Sequence, residues 1–275
     1  MGSRKNIMNI RFIKSVEILP SKKSGIDELL KARENLTDSV DAMTSPNNPR
    51  GYPGIDPIMA LWLVTRDSDV IAIPHLTPRD NNRLALYSKV VTAAKFNINH
   101  FFIIGGDTID SRINSKPVME MDVLSTIEEI ANQSIGRNFL KEYNENIVVG
   151  AIMNPHRIQE KEIVNSKYEK GARFFITHSI FDAEVLKQDW IAKRNFKLLA
   201  GFIPILKKSQ LDITESLDMR IPKNMRDRIL NSSDLEGFFI NYIAESVDDL
   251  KGYIDGIHLM PLGKNQFAKK LMEVL

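Results

Sequence analysis

Short apolar runs alternating with stretches of helical periodicity are the feature that most restricts what this chain can fold into. Residues 16–20, 39–44, 70–75, 101–104, 147–153, 173–178, 198–205 and 256–260 have the length and apolar content of strands buried on both faces. Apolar spacing predicts helices over 26–36, 56–65, 84–94, 118–132, 158–170, 237–250 and 266–274. A further helix carries Val185, Leu186 and Trp190, and a short one covers 225–230 inside an insertion after the seventh strand. Eight strands each followed by helix imply a parallel sheet with right-handed crossovers. With no internal linker, the chain reads as one α/β domain over 1–275, a (β/α)8 TIM barrel. A doubly wound open sheet is the structural alternative, but no Gly-x-Gly-x-x-Gly turn follows the first strand.

At 275 residues and 43% hydrophobic content the chain can bury a full core. A net charge of +2, with Lys and Arg scattered rather than blocked, implies no nucleic-acid partner. No run is long and apolar enough to span a membrane, and the start lacks a signal peptide's apolar centre, so the expected location is cytoplasmic. The chain has no cysteine, which removes thiolate nucleophiles, disulfides and thiolate-held metals. Its five histidines, at 75, 100, 156, 178 and 258, lack any close metal-binding spacing, so no metal site is expected.

In a parallel barrel the chemistry gathers at the carboxyl ends of the strands. The run 100–107 stops at Gly105-Gly106-Asp107, where two glycines let backbone approach a ligand and an acid follows. Taken alone, Asp107 reads more simply as the cap of the next helix. Glu17 interrupts an apolar run: it faces solvent at a barrel end, or it is buried and its pKa rises toward that of a general acid. Thr44, His75, Asn154, His178 and Ile205 stand at the other strand ends, and the turn-rich loop 45–54 has the length of a substrate cover.

The same strand ends resemble the methylenetetrahydrofolate reductase family, flavin-dependent barrels of one-carbon metabolism. The likeness is carried by Val-Glu-Ile-Leu-Pro at 16–20, Val-Asp-Ala-Met-Thr at 40–44 and Asn-Pro-Arg-Gly at 48–51. It continues through His-Leu-Thr-Pro-Arg-Asp-Asn-Asn-Arg at 75–83, Ile-Ile-Gly-Gly-Asp at 103–107 and Lys-Tyr-Glu-Lys-Gly-Ala at 167–172. Phe-Ile-Thr-His-Ser-Ile-Phe-Asp at 175–182 and Gly-Phe-Ile-Pro-Ile at 201–205 complete it.

The resemblance implies FAD-dependent reduction of 5,10-methylenetetrahydrofolate, or a related methylene-pterin, to the 5-methyl form. NAD(P)H or a protein electron donor would supply the electrons, and a homo-oligomer is compatible with it. Glu17 would be the acid that opens the pterin's bridging ring, Asp107 would bond the pterin beside the flavin, and His178 would join them at the substrate. Thr44, His75, Gly106, Asp107, Asn154 and Lys167 would hold FAD, the lysine near the pyrophosphate. Two positions depart from the family pattern. Gly105 replaces an arginine usual before Gly-Asp, and His178 replaces a glutamine usual after the threonine of strand six. These departures motivate a rival: a flavin-independent methyltransferase that exchanges a methyl group between a tetrahydropterin and a corrinoid or other partner protein. A non-catalytic pterin-binding subunit is a third alternative, against which the acid at Glu17 argues.

Overall fold

The computed structural model describes residues 5–19, 25–131, 147–216 and 219–275. Its eight strands are β1 (Ile13–Glu17), β2 (Ala42–Ser45), β3 (Ile71–Leu76), β4 (His100–Ile103), β5 (Val148–Met153), β6 (Ala172–Ser179), β7 (Lys197–Phe202) and β8 (Gly256–Leu259). They close into a barrel in which each strand is parallel to the next and β8 returns to β1. The expected TIM barrel is therefore the fold. The helices are α1 (Ile26–Leu36), α2 (Pro57–Thr65), α3 (Arg83–Lys95), α4 (Val123–Ala131), α5 (Glu160–Glu169), α6 (Asp189–Ala192), α7 (Leu211–Ser216), α8 (Lys223–Asn231), α9 (Leu235–Asp249) and α10 (Asn265–Val274).

Two apolar layers follow from strand alternation. Ile13, Ala42, Ile71, Ile73, Phe102, Val148, Phe174, Ile176 and Leu199 point inward and fill the barrel, while Val16, Met43, Ala72, Phe101, Phe175 and Leu198 face the helices. Phe174 occupies space left by Gly150: a Cβ there would lie 2.2 Å from the ring. Ile7, in a short turn before β1, plugs the amino-terminal end, its N–H donating to His100 Nε2 at 3.3 Å. His100 is thus a floor residue at the end opposite the strand ends. Each such buried aliphatic or aromatic side chain contributes about 1.5–3 kcal/mol.

Several elements differ from the sequence expectation: β2 starts at Ala42 rather than 39, β7 ends at Phe202 rather than 205, and α7 adds a helix to the insertion where only 225–230 was expected; three further differences have a visible cause. β1 begins three residues earlier than 16 and ends on Glu17, because Ile13 N–H bonds Asp255 O and the polar Lys14 and Ser15 find partners inside the fold. Pro20, expected in this strand, lies outside the described residues. The helix expected from 118 starts at Val123, where Asp122 accepts the Ser125 N–H at 2.7 Å, and Val118 N–H is instead bound to Arg79 O. Asn132, its expected last residue, also lies outside the described residues. The helix expected around Val185 and Trp190 is two pieces, a turn at Ala183–Leu186 and the short α6, separated by extended backbone at Gln188. Among the described residues no helix is long and apolar enough to cross a membrane.

Candidate functional site

β1 carries Ile13, Ser15 and Glu17 on its inward face, and the closing hydrogen bonds set Glu17 against Thr44 of β2 at the barrel mouth. Thr44 shares the inward parity of Ala42, and His75 that of Ile71 and Ile73. The three side chains therefore come from neighbouring strand ends. His75 packs on Phe102 with ring centroids 4.8 Å apart. Beneath them Ser15 Oγ and His258 Nδ1 share a hydrogen bond of 3.0 Å.

Burial decides the charge states here. Glu17 is half-buried; desolvation, and then the negative charge of Asp107, push its pKa from 4.5 up to about 7. His75 is pushed down to about 3 by burial and by the neighbouring His258, and burial alone takes His258 to about 3. Both imidazoles are neutral at physiological pH. The site thus pairs a carboxyl that is part protonated near neutrality with neutral ring nitrogens.

Asp107 lies on the exposed loop after β4, and one carboxylate oxygen accepts the Arg50 N–H at 2.6 Å. It caps no helix: the next turn, Ser111–Ile113, is capped by Asp110, and α4 begins after Asp122. Gly106 has φ +83°, and a Cβ there would stand 2.7 Å from Thr77 Oγ1, so backbone conformation and space both demand glycine. Gly105 is different. Its nearest neighbour to a Cβ would be Val123 Cγ2 at 3.7 Å, an ordinary contact.

The remaining expected residues occupy the far side of the mouth. Asn154 follows β5, gives its N–H to Glu160 Oε1 at 2.8 Å and accepts the His156 N–H on its side chain at 3.1 Å, a local turn. Lys167 is buried; its ammonium donates to Ile152 O at 2.6 Å and feels the nearby Glu160 carboxylate. Burial lowers its pKa against that attraction. His178 is half-buried near the end of β6, where the pairing with β7 shifts register between Ile176 and Ser179.

Residues without an expected role complete the site. Arg79 is buried and its guanidinium joins the loops after β2, β3 and β4. Ser15 and His258 form the floor below Glu17. The two-residue spacing of Ser15 and Glu17 was the available signal for a shared face; nothing in the sequence pairs Ser15 with a histidine 243 positions away.

Buried polar atoms test the fit to FAD. Thr44 Oγ1, Ser45 Oγ, Asn47 Oδ1 and His75 Nε2 have no hydrogen-bond partner among the described residues, and they lie at the carboxyl ends of β2 and β3 or, for Asn47, in the loop just after β2. Buried polar groups are normally paired, so this cluster suits a polar ligand group. Thr44 and His75 thus fit a bound cofactor, whereas the Lys167 ammonium already has a protein acceptor.

Comparison with known proteins agrees with this architecture. The methylenetetrahydrofolate reductase family profile matches residues 10–275. No curated protein sequence matches the chain significantly. Among solved structures, a protein from Clostridium thermocellum that binds two copies of 5-methyl-5,6,7,8-tetrahydrofolic acid aligns at TM-score 0.68 and 12% identity, over 98% of each chain. 2,3-Dimethylmalate lyase aligns at 0.55 and 10% identity, over 97% of this chain and 79% of its own. The tryptophan synthase complex from Pyrococcus furiosus aligns at 0.56 and 12% identity, over 95% and 96%. At these identities the structural matches report the barrel itself.

Proposed function

The chain belongs to the methylenetetrahydrofolate reductase family, and from that premise we propose that it acts on a reduced pterin carrying a one-carbon unit, reducing a methylene-pterin to its 5-methyl form. The observation that carries this is the place of the Glu17 carboxyl, on the inward face of β1 against Thr44 at the barrel mouth, where desolvation and then the charge of Asp107 raise its pKa to about 7. A carboxyl at that value is present both as acid and as conjugate base at neutral pH, which suits proton transfer in either direction. Glu17 would give its proton to a nitrogen of the bridging five-membered ring, whose C–N bond then opens to an electrophilic iminium. Asp107 uses one oxygen for the Arg50 N–H and keeps acceptor capacity for pterin donors. The 5-methyltetrahydrofolic acid ligand of the Clostridium thermocellum structure supports the substrate class.

FAD, when bound and once reduced by NAD(P)H or a protein electron donor, would supply the hydride. Thr44 and His75 would hold it through their unpartnered polar atoms, with Gly106 letting it approach the β4 loop and His178 reaching the substrate from the opposite strand. A second interpretation is favoured by Lys167, whose ammonium is turned to Ile152 O rather than outward. Without a phosphate-binding lysine the same acid and pterin pocket would serve methyl exchange with a partner protein.

Absorption spectroscopy after FAD reconstitution, with calorimetric titration of 5-methyltetrahydrofolate, separates the outcomes. A flavin band plus pterin binding supports the reductase. Colourless protein that still binds the pterin overturns the reductase and leaves the methyltransferase, which methyl transfer to a corrinoid acceptor then separates from a non-catalytic pterin-binding subunit; loss of both overturns the pterin assignment.

A further inference from the structure

Three loops that meet at the barrel mouth share one buried cation. Arg79 Nε and Nη2 grip both oxygens of Asp80, at 2.6 and 2.5 Å, and the remaining donors reach Asp107 O at 2.5 Å and Asn48 O at 3.2 Å. Its own carbonyl accepts the Val118 N–H at 2.7 Å, at the far end of the loop that Asp107 opens. Asp80 in turn accepts from Asn48 Nδ2 at 3.0 Å. Burial works against the Asp80 carboxylate, but hydrogen bonds from Arg79 and Asn48 outweigh it and hold its pKa below the usual value.

The turn that these bonds secure is conformationally demanding. Asn48 and Arg50 both adopt left-handed backbone, with φ 45° and 57°, and Gly51 follows at 68°. A non-glycine residue there costs about 1–2 kcal/mol, so the turn needs outside support. Gly51 lies so close to the β4 loop that a Cβ would fall 2.1 Å from Thr108 O, and its carbonyl accepts the Asp110 N–H at 3.3 Å. Loop 45–54 is therefore a clamp fixed on the β4 loop, and its Arg50 N–H is the group that holds the Asp107 carboxylate.

We infer that Arg79 is a positioning residue: it aims the Asp107 carboxylate at the barrel mouth by fixing both the Asp107 backbone and the turn at 48–51 that donates to that carboxylate. The inference rests on Asp107 being a working group of the proposed pterin site. Arg79 itself is consumed by Asp80, Asn48 and Asp107 and acts only through them.

Glu17 reports the position of Asp107, because Asp107 is the charge that acts on it while the barrel histidines, His75 and His258, are neutral. The experiment is a pH titration of ligand-free protein by carbon NMR, labelled at the glutamate carboxyl carbon, with the Glu17 signal identified by its loss in Glu17→Gln. Arg79→Lys keeps a charge for Asp80 but cannot span all three acceptors. Arg79→Met with Asp80→Asn removes the ion pair together and avoids a stranded buried carboxylate. Both should lower the Glu17 midpoint in the same direction and by about as much as Asp107→Asn does, and add nothing further on an Asp107→Asn background. Both should also weaken 5-methyltetrahydrofolate about as much as Asp107→Asn. An unchanged midpoint in the Arg79 variants, effects that add to Asp107→Asn, or an Asp107→Asn that leaves Glu17 unmoved overturns the inference. Wild-type protein that fails to bind the pterin overturns the functional proposal instead, and the titration still decides the role of Arg79.

Discussion

Replacing Glu17 by glutamine should stabilise the protein while abolishing its turnover, and the stabilisation should depend on pH. The folded-state pKa, about 7, lies above the ordinary 4.5, so folding favours the protonated carboxyl. Between pH 4.5 and about 7 the native state binds more protons than the unfolded chain, and stability falls as pH rises through that window. The gap of about 2.5 pH units, at ~1.4 kcal/mol each, sets a penalty of about 3.5 kcal/mol, fully developed above pH 7 and absent below 4.5. Glutamine has nearly the same shape and no charge, so Glu17→Gln removes the penalty. For a domain of this size the variant should melt higher by about 5 °C or more at pH 8 and match wild type at pH 4.5. Calorimetric melts of both proteins at half-unit steps from pH 4.5 to 8.5 test this. A melting difference that is constant across the series would refute both the raised pKa of Glu17 and its assignment as the acid.

The two adjacent glycines should respond differently. Gly106→Ala places a Cβ 2.7 Å from Thr77 Oγ1 at φ +83° and should cost about 1–3 kcal/mol, whereas Gly105→Ala should stay within ~0.5 kcal/mol; equal losses by thermal melt would contradict the turn geometry. Ser15→Ala strands His258 Nδ1 in the barrel interior and should cost about 1–3 kcal/mol in denaturant unfolding, with no loss if that hydrogen bond is immaterial. Thr44→Val removes a hydroxyl that has no protein partner, so stability should hold within ~0.5 kcal/mol while FAD affinity, measured by fluorescence quenching, falls about tenfold. Unchanged FAD binding would remove Thr44 from the cofactor site.

The barrel was legible because its determinants are local. Runs such as 147–153 and 198–202 are apolar on both faces, and α1 and α2 match their expected spans because spacing and flanking signals, such as Asp56 before Pro57, agree. Expectation failed where polar residues had distant partners. Lys14 and Ser15 look unlike a buried strand until Met272 O and His258 receive them. Val118 looks helical until Arg79 O claims its N–H. The candidate site was legible as a set of strand-end positions: alternation and barrel closure bring Glu17, Thr44 and His75 together, and the loop after β4 adds Asp107. Arg79 stood within the motif at 75–83 but showed no role, because a guanidinium's function depends on which carbonyls surround it.

What the sequence by itself determined is periodicity: the order of strands and helices, the closed parallel architecture, and the placing of Glu17 at the end of the first strand. What only the tertiary structure decided is the state of that carboxyl. Ninety residues separate Glu17 from Asp107 along the chain, and the charge that acts on Glu17 exists only once β1 and β4 stand in the same ring. Desolvation, hydrogen-bond geometry and the field of a neighbouring carboxylate fall off with distance in space, which local sequence spacing does not encode.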